Sequence, residues 1–171
     1  MDWTWNYPFA DVHANLVDGQ LHLSGTPIGD HTPGAALCVR SRSTDYVYEA
    51  SIANKNDSFK GLTMYGDDKN QVALGYKNDR VLLVSIQNGA ESILFDSSFE
   101  GTAPRLKVEV ARGRLLTFYY SADGERWTRV NESPLDVSFL VRWDRVARPG
   151  LLHKGAVDSP ALFNHFSLKH Q

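Results

Sequence analysis

Residues 105–130, RLKVEVARGRLLTFYYSADGERWTRV, decide the fold, because they write three antiparallel strands and two tight turns in one uninterrupted run. Leu106, Val108 and Val110 alternate with Arg105, Lys107 and Glu109, a period of two that turns one edge toward a core and the other toward water. Arg112-Gly113 reverses the chain into Leu115–Tyr120, and Ala122-Asp123-Gly124-Glu125 reverses it again into Arg126–Val130. Each turn carries a Gly able to take positive φ. Such a meander specifies an all-β sandwich and says little about chemistry.

The same signals spread outward. Asp18-Gly19 separates Val12–Val17 from Gln20–Ser24 as a hairpin, and Gly25–Gly34 reads as a Gly/Pro-rich loop. Strands are expected at Ala35–Arg42, Tyr46–Ala53, Gly61–Tyr65, Gln71–Lys77, Val81–Gln87, Ser92–Asp96 and Ala161–Lys169. Residues 131–160 are expected to be irregular. No window holds a sustained helical period, so almost no helix is expected. At 171 residues, 42% of them hydrophobic and 22% charged, the chain suits one sandwich domain spanning residues 1–171.

Net charge of −2 with no Lys/Arg run lacks the footprint that phosphate-backbone binding needs, so nucleic acid is not an expected partner. The apolar stretches are strand-length, too short for a membrane helix. The opening MDWTWNYPFAD has no basic head followed by an apolar core, so no signal peptide is expected within it. The lone Cys38, inside the apolar run Ala35–Val39, is expected to be a small buried side chain.

Catalytic signatures are missing: there is no Gly-x-Ser-x-Gly, no His-Glu-x-x-His, no phosphate loop and no cysteine pair. A sandwich glycosidase would place two carboxylates on one strand face, about 5 Å apart. Glu49 and Glu109 have no same-face carboxylate at two-residue spacing. Asp67 and Asp68 suit a turn, although their oxygens also suit calcium. In Leu162–Leu168, alternation groups Asn164 with Leu162, Phe166 and Leu168 on the apolar side, where its amide needs either a hydrogen-bond partner or a metal.

The aromatic share, 11% with 4 Trp, is also what a sugar-binding surface needs, since pyranose faces pack on flat rings. Trp3-x-Trp5-x-Tyr7 sets three rings on one side of an extended segment, either as a stacking platform or as a cover for the sandwich edge. Tyr65 and Tyr119 are out of phase with their apolar neighbours and read as outward. Trp143, beside Arg142 and Asp144, combines a ring with planar hydrogen-bonding groups. Carbohydrate contact is expected at Trp3, Trp5, Arg40, Tyr65, Asp67 and Trp143.

Read in order, WTWNYP at 3–8, LHLSG at 21–25, VRSRSTDYVYEASI at 39–52, KGLTMYGDDKN at 60–70, FYYSADGERW at 118–127 and SPALFNHFSL at 159–168 resemble a known module. It is similar to the concanavalin A-like jelly-roll β-sandwich at the carboxyl end of glycoside hydrolase family 43 enzymes, the β-xylosidases and arabinofuranosidases. The resemblance implies two antiparallel sheets and a non-catalytic accessory role. It also implies a carbohydrate partner such as xylan or arabinan, and an attached glycosidase propeller that holds the acid and base residues. An extracellular or periplasmic location follows if the parent enzyme is secreted. A structural calcium is common in such sandwiches, with Asn164 as the ligand position in this chain. The family's closing strand often reads Ala-Asp-Phe-Asp-x-Phe, however, and here Leu162 and Asn164 replace both acids. Two alternatives stay open: a structural domain packing on a partner, and a hydrolase or lyase whose carboxylates meet from separate strands.

Overall fold

The computed structural model describes residues 2–6, 8–143 and 146–171. Tyr7 and Asp144, named above, lie outside the described residues. The described residues form fifteen strands: β1 (Trp3–Trp5), β2 (Ala10–Val17), β3 (Gln20–Pro27), β4 (Ala35–Val39), β5 (Tyr46–Ile52), β6 (Phe59–Asp67), β7 (Asn70–Lys77), β8 (Arg80–Gln87), β9 (Ala90–Ser98), β10 (Arg105–Ala111), β11 (Leu115–Ser121), β12 (Thr128–Arg129), β13 (Leu135–Asp136), β14 (Arg148–Lys154) and β15 (Ala161–His170). A 3-10 turn at Ser138–Leu140 is the only helical element among the described residues.

They form two antiparallel sheets. Sheet A has the order β1-β4-β14-β6-β7-β8-β9, and sheet B the order β12-β11-β10-β5-β15-β3-β2, with β13 beside β11. The alternation along β10 sends Leu106, Val108 and Val110 into the core between the sheets, against Leu62, Met64, Val72, Leu74 and Leu83 of sheet A. Hairpin chemistry fixes the register: Asp18-Gly19, Asn78-Asp79, Asn88-Gly89 and Arg112-Gly113 hold both turn residues at positive φ, matching strand twist. Arg112, an unusual occupant of that region, is anchored by its N–H on the Asp45 carboxylate at 3.2 Å.

Two expectations need correction. The stretch 131–160 is not wholly irregular, because it contains β14, which lies between β4 and β6 near the centre of sheet A. Its sequence, RPGLLHK, shows no alternation, since Leu151 enters the inter-sheet core while Leu152 enters a second apolar cluster on the other side of the sheet. The expected loop at 25–34 begins later, with β3 continuing to Pro27 opposite Ala10.

That second cluster positions the site. Ala36, Cys38, Phe59, Tyr65, Ala73, Val84, Ile86 and Leu152 are buried on the outer face of sheet A, away from the core. Residues 28–34 lie against this face. His31 approaches the Tyr65 ring at 6.2 Å, the Thr32 N–H reaches the Asp68 carbonyl, and Asp30 pairs with Lys69 at 2.9 Å.

Candidate functional site in the outer face of sheet A

The structure scatters the residues expected to contact sugar. Trp3 sits opposite Val39 on edge strand β1 and packs on Phe166 of sheet B with ring centroids 5.0 Å apart, closing the open flank of the sandwich. Trp5, opposite Leu37, follows it on the same side and is half exposed. Asp67 is buried in the β6–β7 turn. Its carboxylate accepts from the Lys69 N–H and the Asn70 amide and pairs with Arg142 at 2.9 Å. Trp143 is 99% exposed, in the segment leading to β14. Arg40 is exposed just past β4, in a depression shared with Ser41, Val146, Ala147 and Arg148.

Tyr65 and Asn164 depart from expectation. Tyr65 does point out of the core, but it is 1% exposed, because His31 and the Arg148 guanidinium, 5.6 Å from its ring centroid, cover it. Outward phase meant exposure only if nothing packed on that face. Asn164 is not on the apolar side. A bulge between Phe163 and His165 shifts the register, so Ala161 and Phe163 face the core before it, Phe166 and Leu168 pack against the core after it, and Asn164 is left exposed. Its Oδ1 accepts from the Gln20 side chain at 2.8 Å.

An exposed amide already bonded to another amide, in a depression where Glu49 is the one carboxylate among the described lining residues and Arg105 lies alongside, does not fit a hard cation. Among the described residues no three His, Cys, Asp or Glu side chains gather as a metal set.

What sheet A assembles instead is a trough of about 260 Å³ lined by Pro33, Phe59, Gln71, Ala73, Leu82, Val84, Ile86, Ile93 and Leu152, with Lys77, Glu91 and Lys154 charged around it. The Phe59 ring forms part of the floor, so close to Gly75 that a Cβ there would meet it at 2.5 Å. Lys154 on β14 and Glu91 on β9 pair at 2.6 Å although β6, β7 and β8 lie between their strands. Four strand spacings in a flat sheet would separate those backbones by roughly 19 Å. Sheet A is therefore strongly curved, concave on its outer face.

One cross-strand row carries the polarity. Glu91, Ile86, Gln71, Tyr65 and Arg148 are successive partners from β9 to β14. Gln71 is 1% exposed, and its Oε1 has no hydrogen-bond partner, as is also true of Thr32 Oγ1 and the Tyr65 hydroxyl. Asn6 props the adjoining wall: its Oδ1 accepts from the Ala36 N–H, while its NH₂ donates to the Gly34 carbonyl and approaches His31 Nε2 at 2.7 Å. Burial lowers the His31 pKa and raises that of Tyr65, so both are neutral near pH 7. Burial also pushes the Cys38 thiol up to about 12, leaving it unreactive.

The trough is thus apolar-floored, carries the neutral Gln71 amide and two lysines in its lining, and contains one carboxylate among its described lining residues. Sequence reasoning missed Gln71 and Phe59 because nothing in an alternating strand marks an outer face as curved. The outer face of sheet B differs: Tyr119, outward as expected, donates to Glu109 at 3.0 Å, and Lys107 lies 4.5 Å from its ring centroid and 4.6 Å from that of Trp127. These side chains satisfy one another.

Comparison with known proteins places this geometry in a family. Residues 1–150 match the model described as the beta xylosidase C-terminal concanavalin A-like domain. The GH43 BlXynB protein of Bacillus licheniformis superposes with a TM-score of 0.74 at 18% identity, covering 89% of this chain and 33% of that one. GH43B of the Bacteroides ovatus xyloglucan PUL gives 0.78 at 18% identity, covering 100% and 37%. The carbohydrate binding module CBM66 from Bacillus subtilis gives 0.56 at 18% identity, covering 98% of this chain and 94% of that one. This chain spans about a third of the length of the two GH43 proteins, and no curated protein matches it. The chain belongs to the β-xylosidase C-terminal concanavalin A-like domain family, with the two-sheet sandwich that name describes.

Proposed function

We propose that this domain is a non-catalytic accessory module that binds a plant polysaccharide such as xylan or arabinan in the trough on the outer face of sheet A. The observation that carries the reading is Gln71, a buried carboxamide in the wall of a concave apolar trough whose Oε1 the fold leaves unpaired. An amide kept in that state costs about 1–3 kcal/mol, a cost that is offset when the side chain turns its oxygen toward a sugar hydroxyl that donates to it. Phe59, Leu82, Val84 and Leu152 supply the flat apolar floor on which C–H faces of a sugar ring pack. The Lys154–Glu91 bridge is partly exposed and worth about 0–1 kcal/mol, so it yields to an incoming chain. Membership of a family named for a domain of β-xylosidases, and likeness in fold to a carbohydrate binding module, support the same reading. A single carboxylate among the described lining residues offers no acid–base pair, which favours binding over hydrolysis.

Calorimetry of the intact domain against xylan, arabinan, galactan and levan oligosaccharides tests this. Binding to at least one, weakened about tenfold or more by Gln71→Ala in a protein whose melting temperature is not lowered, is the expected result. No binding across the panel would overturn it, and so would full affinity in the variant.

A further inference from the structure

Beyond the wall formed by residues 28–34, on the side away from the trough, the depression holding Arg40 and Arg148 has a volume of about 400 Å³. We propose that it is a carboxylate subsite for a uronic acid unit carried by the polysaccharide bound in the trough. The inference rests on the proposed function and adds a substrate class to it.

Register comes first. β14 and β4 pair as far as Gly150 opposite Cys38, and Arg148 and Arg40, each two residues beyond that pair, line the same depression. Two guanidiniums that line one depression repel each other, and an anion between them relieves that repulsion. Bracing comes second. The Arg148 guanidinium is held against the Tyr65 ring at 5.6 Å, so one of the two forks is already oriented before a ligand arrives. A guanidinium fork matches a carboxylate in a bidentate pair, the geometry that distinguishes an acid from a hydroxyl.

The remaining lining suits a sugar better than a bare ion. Ser41 adds a hydroxyl, while Val146 and Ala147 supply an apolar side against which a ring packs. Arg148, Tyr65 and Gln71 are consecutive cross-strand partners, so the subsite and the trough wall lie about 10 Å apart, two strand spacings. A short branched oligosaccharide reaches both.

The test is calorimetry of the full chain with three probes: a xylooligosaccharide, the same oligosaccharide bearing one glucuronic acid branch, and inorganic sulfate. The acidic sugar is expected to bind about tenfold tighter than the neutral one, an advantage that shrinks as salt is raised. Arg148→Gln and Arg40→Gln are each expected to remove that advantage, and Arg40→Gln, which leaves the Tyr65 stack intact, is expected to leave neutral binding unchanged. Equal affinity for the two sugars, or an advantage that survives both substitutions, would overturn the subsite and leave the trough reading standing. Sulfate competing as tightly as the acidic sugar would reduce the site to an adventitious anion contact and also overturn it. Failure of both sugars to bind the unaltered protein would overturn this inference, and the four-glycan panel then decides separately whether the trough reading falls with it.

Discussion

Lys60 shows what single residues decide in this sandwich. It sits on β6 in phase with Leu62 and Met64, so its stem is carried into the core side, fully buried, where its ammonium finds the Asn56 carbonyl at 3.4 Å and the Tyr76 ring at 5.7 Å. Burial lowers its pKa from 10.5 to about 8; Asp57 opposes that shift, and Lys77 adds to it. A base whose folded pKa lies below its unfolded value binds fewer protons folded than unfolded between the two. Stability from this group therefore rises with pH from about 8 to 10.5. Lys60→Met removes a poorly solvated charge and is expected to stabilise the domain by roughly 1–3 kcal/mol at pH 7. It is also expected to flatten that alkaline rise. Urea denaturation at pH 7, 9 and 10.5 checks both, and a variant that is less stable at pH 7 and keeps the rise would contradict the assignment. His153, the cross-strand partner of Lys60, is buried too, and burial with the nearby Lys60 charge holds it neutral.

Among the elements, β15 shows most clearly where sequence patterning succeeds and where it fails. The expected strand at 161–169 exists, as do the meander and the hairpins, because period-two alternation and Gly-bearing turns act locally. The bulge at Asn164 was not legible, since one extra residue leaves composition unchanged while swapping the inward parity from Ala161 and Phe163 to Phe166 and Leu168. β14 was hidden for a related reason: a strand with apolar clusters on both faces has no alternation to read. Tyr65 had its direction read correctly and its exposure wrongly, because residues 28–34 cover it from far away in the chain. Parity makes a sharp prediction. Deleting Asn164 restores simple alternation and leaves Ala161, Phe163, Phe166 and Leu168 all inward, so the melting temperature is expected to stay within a few degrees of the parent. Deleting Ser167 instead turns Leu168 outward and costs about 1–2 kcal/mol by removing a partly buried apolar side chain from its place against the core. Equal losses for both deletions, measured by thermal denaturation, would contradict the bulge.

At the scale of the whole molecule the two outer faces differ in kind. Sheet B presents side chains that pair with one another, Lys107 with its two rings and Tyr119 with Glu109. Sheet A is concave, apolar and left with unpaired polar atoms along one cross-strand row. Curvature arises only once seven strands are assembled, which is why Gln71 and Phe59 gave no signal as isolated residues while the tryptophans, visible by type, lie elsewhere. Everything proposed for this domain requires that ligand meet sheet A and not the tryptophan-bearing edge or loop. An amide ¹⁵N–¹H titration with a xylooligosaccharide separates these surfaces, because the 4 Trp indoles report on the rival positions in the same spectrum. Shifts are expected at the Gln71 side-chain amide and at the backbone of Phe59, Ala73, Val84 and Leu152, with the Trp3, Trp5 and Trp143 indoles unmoved. Shifts confined to those indoles, or to the face of sheet B around Tyr119, would refute binding in the trough.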